Sequence, residues 1–232
     1  MKVQILQLIE GAQAARGLTV VIDVFRAFTV EAWLMHNGTQ KLLPVGEVET
    51  ALEYRDAHPG TILVGEREGA IIPGFDFGNS PSQIEKEDFT GKTVVHTTSA
   101  GTQGVVNATG ADMILAGSLT TAAAIARYIK QVGAETVSLV CMGLAGVRPT
   151  DEDTLCARYI KSILEDTPLD LAGEIEKLKV TDGAKFFDPA QQSMFPEPDF
   201  WLSVQADRFD FVLKVELDEE TGLHSVRKIH VP

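Results

Sequence analysis

Four short blocks place carboxylates, guanidinium groups and hydroxyls at corners where apolar runs end. In VVIDVFRAFT, Asp23 closes a β-prone run and Arg26 follows three residues later. A carboxylate there can bind a divalent ion or orient water, and an arginine in the next turn can fork onto phosphate or carboxylate oxygens. The alternative is an N-cap that satisfies the first free N–H groups of a helix. Glu66 and Arg67 end a second run and lead into PGFDFGNSP, which carries Gly74, Asp76, Asn79 and Ser80. Such a loop offers two carboxylates, a guanidinium and backbone donors that can face an anion, or a rigid surface loop held by prolines and Asx turns. Thr97, Thr98, Gly101 and Thr102 form a hydroxyl-rich turn before a helix, a credible phosphate cradle or ordinary capping. Glu152 and Asp153 fall in the first turn of a later helix, where negative charge is favoured with or without a function.

Several familiar chemistries are missing. There is no GxxxxGK[ST] loop, no GxGxxG turn after a strand and no GxSxG elbow. The five histidines show no HExxH or close HxH spacing, which disfavours zinc. His96 alone stands out, because it directly precedes the Thr97 turn. The only cysteines, Cys141 and Cys156, rule out a dense disulfide framework, and Cys156 reads as packing within a helix.

These corners need a scaffold, and the pattern supplies one. Strands are predicted over residues 18–23, 61–65, 93–98, 113–117 and 137–143, each a short apolar run of the kind covered on both faces of a sheet. Helices are predicted between them over residues 25–36, 48–57, 102–108, 119–132 and 152–164, most of them ended by Gly, Asn-Gly or Pro. A charged helix over 170–179 follows, and residues 211–231 read as two strands joined around Asp218-Glu-Glu-Thr-Gly222. The expected fold is α/β, a three-layer α/β/α sandwich with a mostly parallel, mixed sheet and C-terminal antiparallel strands added at its edge. The 232 residues suit a single domain spanning 1–232.

A formal net charge of −13 disfavours long-range attraction to nucleic acid or to an anionic bilayer. A small phosphorylated anion remains accessible, since one arginine, one helix terminus or one divalent ion overrides global repulsion at short range. The N-terminus lacks a basic, then apolar, then small-residue pattern, and the apolar runs are short; a cytoplasmic location is expected, with no membrane partner. A homodimer is an expectation from base rates alone.

Taken together and in order, VVIDVFRAFT, GERE with PGFDFGNSP, TTSAGT and EDTLCA resemble the 2-phosphosulfolactate phosphatase family across roughly residues 18–157. The resemblance implies an α/β/α fold, a Mg²⁺ ion that Mn²⁺ can replace, and hydrolysis of the phosphate ester of a 2-hydroxycarboxylate, with phosphosulfolactate of coenzyme M synthesis as the named substrate. It assigns catalysis to Asp23, Arg26, Arg67 and Glu152, metal binding to Asp23, Glu66, Asp76 and Asp153, and substrate contacts to Gly74, Asn79, Ser80, Thr97, Thr98, Gly101 and Thr102. Phe25, Phe28 and Ser99-Ala100 depart from the family pattern, which bears on the acyl part of the substrate. Water attack is preferred over an aspartyl phosphate at Asp23, because the DxDx[TV] run is missing. A lyase or isomerase acting on an anionic acid and a noncatalytic anion-binding protein are the rival readings.

Overall fold

In the computed structural model, which describes all 232 residues, the chain alternates strand and helix until its last third. β1 (Lys2–Gln7), α1 (Leu8–Ala14), β2 (Gly17–Ile22), α2 (Ala27–His36), β3 (Lys41–Val45), α3 (Val48–Ala57) and β4 (Ile62–Arg67) come first. The short β5 (Ala70–Ile71) and α4 (Pro81–Ile84) precede β6 (Thr93–Thr97), α5 (Gly101–Asn107), β7 (Ala111–Gly117), α6 (Ala122–Val132), β8 (Thr136–Cys141) and α7 (Asp151–Leu164). α8 (Leu171–Leu178), α9 (Glu197–Ser203), β9 (Phe211–Leu217) and β10 (His224–His230) complete the chain. No helix is long and apolar enough to cross a membrane.

The strands form one mixed sheet of ten in the order β1-β8-β2-β7-β9-β10-β3-β6-β4-β5, flanked by helices as a three-layer sandwich. β1, β8, β2 and β7 are mutually parallel, and so are β3, β6 and β4. Alternation along β2 shows why both faces need cover. Val21 points into the core beneath α2 and α5, while Val20 and Ile22 point into the core beneath α6 and α7.

The hairpin of β9 and β10 lies at the centre of the sheet, which corrects the edge placement expected from sequence. It pairs antiparallel with β7 on one side and with β3 on the other. It is therefore the splice between two parallel blocks that run in opposite directions. Its burial follows from its residues: Phe211, Leu213 and Val215 enter one core and Val212 the other. Strand β3 escaped the sequence reading because Pro44 interrupts KLLPV. β10 pairs with β3 only at Leu42, so the stretch beyond behaves as an edge that tolerates a missing N–H. Loops from the carboxyl ends of both blocks line one cavity, a convergence that a flat sheet would forbid and accumulated twist permits.

Candidate active site

The cavity has a volume of about 580 Å³, and its floor is acidic. Asp23 sits just past β2 and is buried; its Oδ1 accepts the Ala27 N–H at 3.1 Å, so the capping role is real. Its Oδ2 lies 3.1 Å from where a Cβ on Gly101 would stand, so a larger residue there would press on the carboxylate and move it by a few tenths of an ångström. From the first turn of α7, Asp153 accepts the Val24 N–H on Oδ1 and the Gly143 N–H on Oδ2, both at 2.8 Å, which ties the ends of β2 and β8 together. Glu152 beside it is buried, and its Oε2 has no hydrogen-bond partner.

Three acids crowded in low dielectric resist ionisation. Burial pushes Asp23 up to about 6, with repulsion from Glu66 adding to it and the Ala27 bond opposing it. Burial likewise raises Glu152 to about 7, against the attraction of Lys185. Asp153 is pushed well above the carboxylate range, first by burial and then by the charges of Glu152 and Asp23. A carboxyl that titrates near neutrality is suited to give and take protons.

Glu66, at the end of β4, lines the same cavity with both oxygens engaged. Oε1 accepts the N–H and the hydroxyl of Ser99, each at 2.9 Å, and Oε2 accepts the Gly69 N–H at 2.7 Å. It pins the turn carrying Thr98, whose buried Oγ1 lacks a partner. Asn79 also lines the cavity, its Oδ1 3.3 Å from His96 Nε2, while His96 Nδ1 lies 3.0 Å from Glu31 Oε1. His96 is thus wholly buried behind the site rather than on a sheet surface.

Not every residue singled out by sequence reaches the cavity. Arg67 does not line it: its Nη2 donates to Gly46 O at 2.9 Å and Thr97 Oγ1 at 3.0 Å. Successive residues of a strand face opposite sides, so Glu66 and Arg67 cannot both look inward. Asp76 lies outside as well, half-exposed, accepting the Leu63 N–H at 2.8 Å with Arg55 3.9 Å away. The Gly74 carbonyl accepts a hydrogen bond from Arg55 Nη1 at 2.9 Å. These three support the β4 loop, and Asp76, bonded across to the start of β4, stands as a long-range brace outside the cavity lining. Ser80, Thr97, Gly101 and Thr102 stand one layer behind the lining: Ser80 donates to Asp199 Oδ1 at 2.8 Å and Thr102 to Thr98 O at 3.1 Å.

Sequence reasoning singled out Arg26 but gave no role to its partner Asp199, nor to Arg148, Asp182 and Lys185. Arg26 is buried against Asp199, with Nη1 2.6 Å from Oδ2, and it also donates to the carbonyls of Met194 and Gly69. Arg148 reaches the cavity while paired to Asp182 at 2.6 Å. Lys185, on a short 3-10 turn over Ala184–Phe187, lines it too. The one signal available was the departure at Phe25, whose ring meets Phe186 edge-on at 5.0 Å and forms part of the aromatic wall behind Lys185.

No three acidic, histidine or cysteine side chains converge into a ready-made metal cage. Buried carboxylate oxygens with little compensating charge nevertheless match a hard cation, which takes one or two carboxylates and fills its other positions with water and phosphate oxygens.

Comparison with known proteins gives a concordant result. A family model described as 2-phosphosulpholactate phosphatase matches residues 3–215. A probable 2-phosphosulfolactate phosphatase of Bacillus subtilis (strain 168) is 31% identical over 210 residues, covering 89% of this chain and 90% of that protein. Proteins of the same description from Caldicellulosiruptor saccharolyticus and Deinococcus radiodurans are 38% and 40% identical over 154 and 131 residues. Those two alignments cover 64% and 56% of this chain, and 63% and 54% of the relatives. The match supports a phosphatase-type hydrolysis of a small anionic substrate. With its matched region running from β1 into β9 and taking in every acidic corner of the cavity, the chain belongs to the 2-phosphosulpholactate phosphatase family.

Proposed function

We propose that the chain is a magnesium-dependent phosphatase that cleaves the phosphate ester of a 2-phospho-hydroxycarboxylate, with (2R)-2-phospho-3-sulfolactate the first candidate and 3-sulfolactate and phosphate the products. The observation that carries the reading is the buried trio Asp23, Glu152 and Asp153 sharing one cavity with the cations Arg26, Arg148 and Lys185. Acids alone would repel a phosphate ester; cations alone would bind it without activating water.

Asp23 and Asp153 are the residues to hold Mg²⁺, or Mn²⁺ in its place, and the ion would neutralise charge on the phosphoryl oxygens. Thr98 Oγ1, buried without a partner, offers a donor to one of those oxygens. The Arg26 guanidinium, held by Asp199, adds a fixed positive charge at the wall, which stabilises charge spread over the transferring group. Glu152, titrating near 7 with a free Oε2, takes a proton from the attacking water. The new P–O bond forms in line as the ester P–O bond breaks, and the departing alkoxide oxygen keeps the bonding pair and is then protonated.

The test is phosphate release from a panel of 2-phospho-hydroxyacids, phosphosulfolactate included, with Mg²⁺, with Mn²⁺ and with chelator. Release is expected only with metal, and Asp23→Asn should lower it by about 100-fold or more. No release with either ion defeats the proposal, and undiminished turnover by the variant defeats the role given to Asp23.

A further inference from the structure

Three cations line the cavity, and two of them are already neutralised. Arg26 is paired with Asp199 and Arg148 with Asp182, both at 2.6 Å. Lys185 makes no ion pair and no hydrogen bond. Its ammonium stands 5.1 Å from the ring centre of Phe195, 5.4 Å from that of Phe186 and 5.9 Å from that of Phe25. The rings strip water from the ammonium and return only part of what hydration gave it. Burial accordingly lowers its pKa, with Glu152 the leading charge that opposes the shift.

We propose that Lys185 is the specificity-determining cation of this site, binding the acid group of the substrate that is not transferred, a carboxylate or sulfonate on the carbons next to the ester oxygen. This rests on the phosphatase reading for the nature of the substrate. The phosphoryl group belongs with the Asp23–Asp153 floor and the Thr98 turn. A second anion on the same small molecule needs its own counter-charge, and Lys185 is the cavity cation left unpaired. The aromatic wall suits the short carbon skeleton between the two anions. Lys185 is delivered by the 3-10 turn over Ala184–Phe187, and the acidic floor by the end of β2 and the first turn of α7, so the two come from separate elements of the cavity wall.

Lys185→Met and Lys185→Arg test this. One measurement is turnover of a 2-phospho-hydroxyacid against a plain ester without an acid group, phenyl phosphate. The other is equilibrium binding of unphosphorylated lactate and sulfolactate, which needs no turnover. Loss of one charge-assisted contact is expected to lower the ratio of kcat/KM for the acid ester to that for phenyl phosphate by about 10- to 100-fold in the methionine variant. Hydroxyacid affinity should fall by a similar factor, arginine should restore part of both, and the melting temperature of the ligand-free methionine variant should hold, because a half-buried ammonium without an ion-pair partner contributes little to stability. An unchanged ratio, hydroxyacid binding that is absent in the wild-type chain or indifferent to Lys185, or a lowered melting temperature with both substrates equally impaired overturns the proposal. A wild-type chain that binds hydroxyacid through Lys185 but releases no phosphate sinks the phosphatase reading and leaves this assignment standing.

Discussion

Glu152→Gln should make the protein more stable and nearly inactive at alkaline pH, and the size of the gain follows from the cluster's electrostatics. The carboxyl of Glu152 is raised from an ordinary 4.5 to about 7. Below the lower value it is protonated in both folded and unfolded chains and contributes no pH dependence. Between the two values the folded chain holds a proton that the unfolded chain has released, so stability falls as pH rises, and above the upper value the whole penalty is present. At about 1.4 kcal/mol per pH unit, the interval amounts to about 3 kcal/mol. Glutamine keeps the shape and removes the charge. In a chain of this length, where 1 kcal/mol moves the melting temperature by about 2–4 °C, the variant should melt about 6–12 °C higher at pH 8.5 relative to any offset at pH 4.5. Differential scanning calorimetry in chelator across that range reads the effect. Added Mg²⁺ should raise the wild-type melting temperature more than the variant's, since a bound cation stabilises the buried carboxylate that burial alone disfavours. A difference that does not change with pH, or a variant less stable at pH 8.5, would refute the account of Glu152 as a buried, uncompensated acid.

Two further substitutions separate residues that work at the cavity from residues that hold its walls. Asp199→Asn leaves the Arg26 guanidinium buried without its counter-charge and should cost about 3–5 kcal/mol, with Arg26→Met/Asp199→Asn recovering part of it; chemical denaturation measures both, and a single-variant loss below about 1 kcal/mol would show the pair to be dispensable. Asp76→Asn keeps an acceptor for the Leu63 N–H and lies outside the cavity, so metal-dependent turnover should stay within about two-fold of wild type. A loss of about ten-fold or more in metal affinity, as even outer-sphere partners produce, would return Asp76 to the ligand set.

What the sequence made legible was local. The apolar runs that became β2, β4, β6, β7 and β8 announce themselves by composition, and the corner residues Asp23, Thr98, Glu152 and Asp153 follow from where those runs stop. Arg67 was misplaced for a reason already present in the pattern: it adjoins Glu66 in an extended strand, and the period of two sends neighbours to opposite faces. The hairpin's place at the sheet centre was not legible. Its alternation of Phe211, Leu213 and Val215 fixes one buried face, but only long-range pairing with β7 and β3 decides what flanks it.

The cations were hidden by a different cause. Arg26 was visible, yet its partner Asp199 lies 173 residues away, in a proline-rich stretch with no periodicity to align it. Lys185 sits in a 3-10 turn too short to carry a pattern, and its meaning depends on Phe25, Phe186 and Phe195, which meet only in the folded chain. Corners written by the ends of strands are local events that one sequence can display. A charge held in the wall of a cavity is a sum over distant segments, and its lack of a partner is a property of the assembled fold alone. For that reason Lys185 and Asp199, rather than the acidic motifs, are where substitution experiments add most to what the sequence already says.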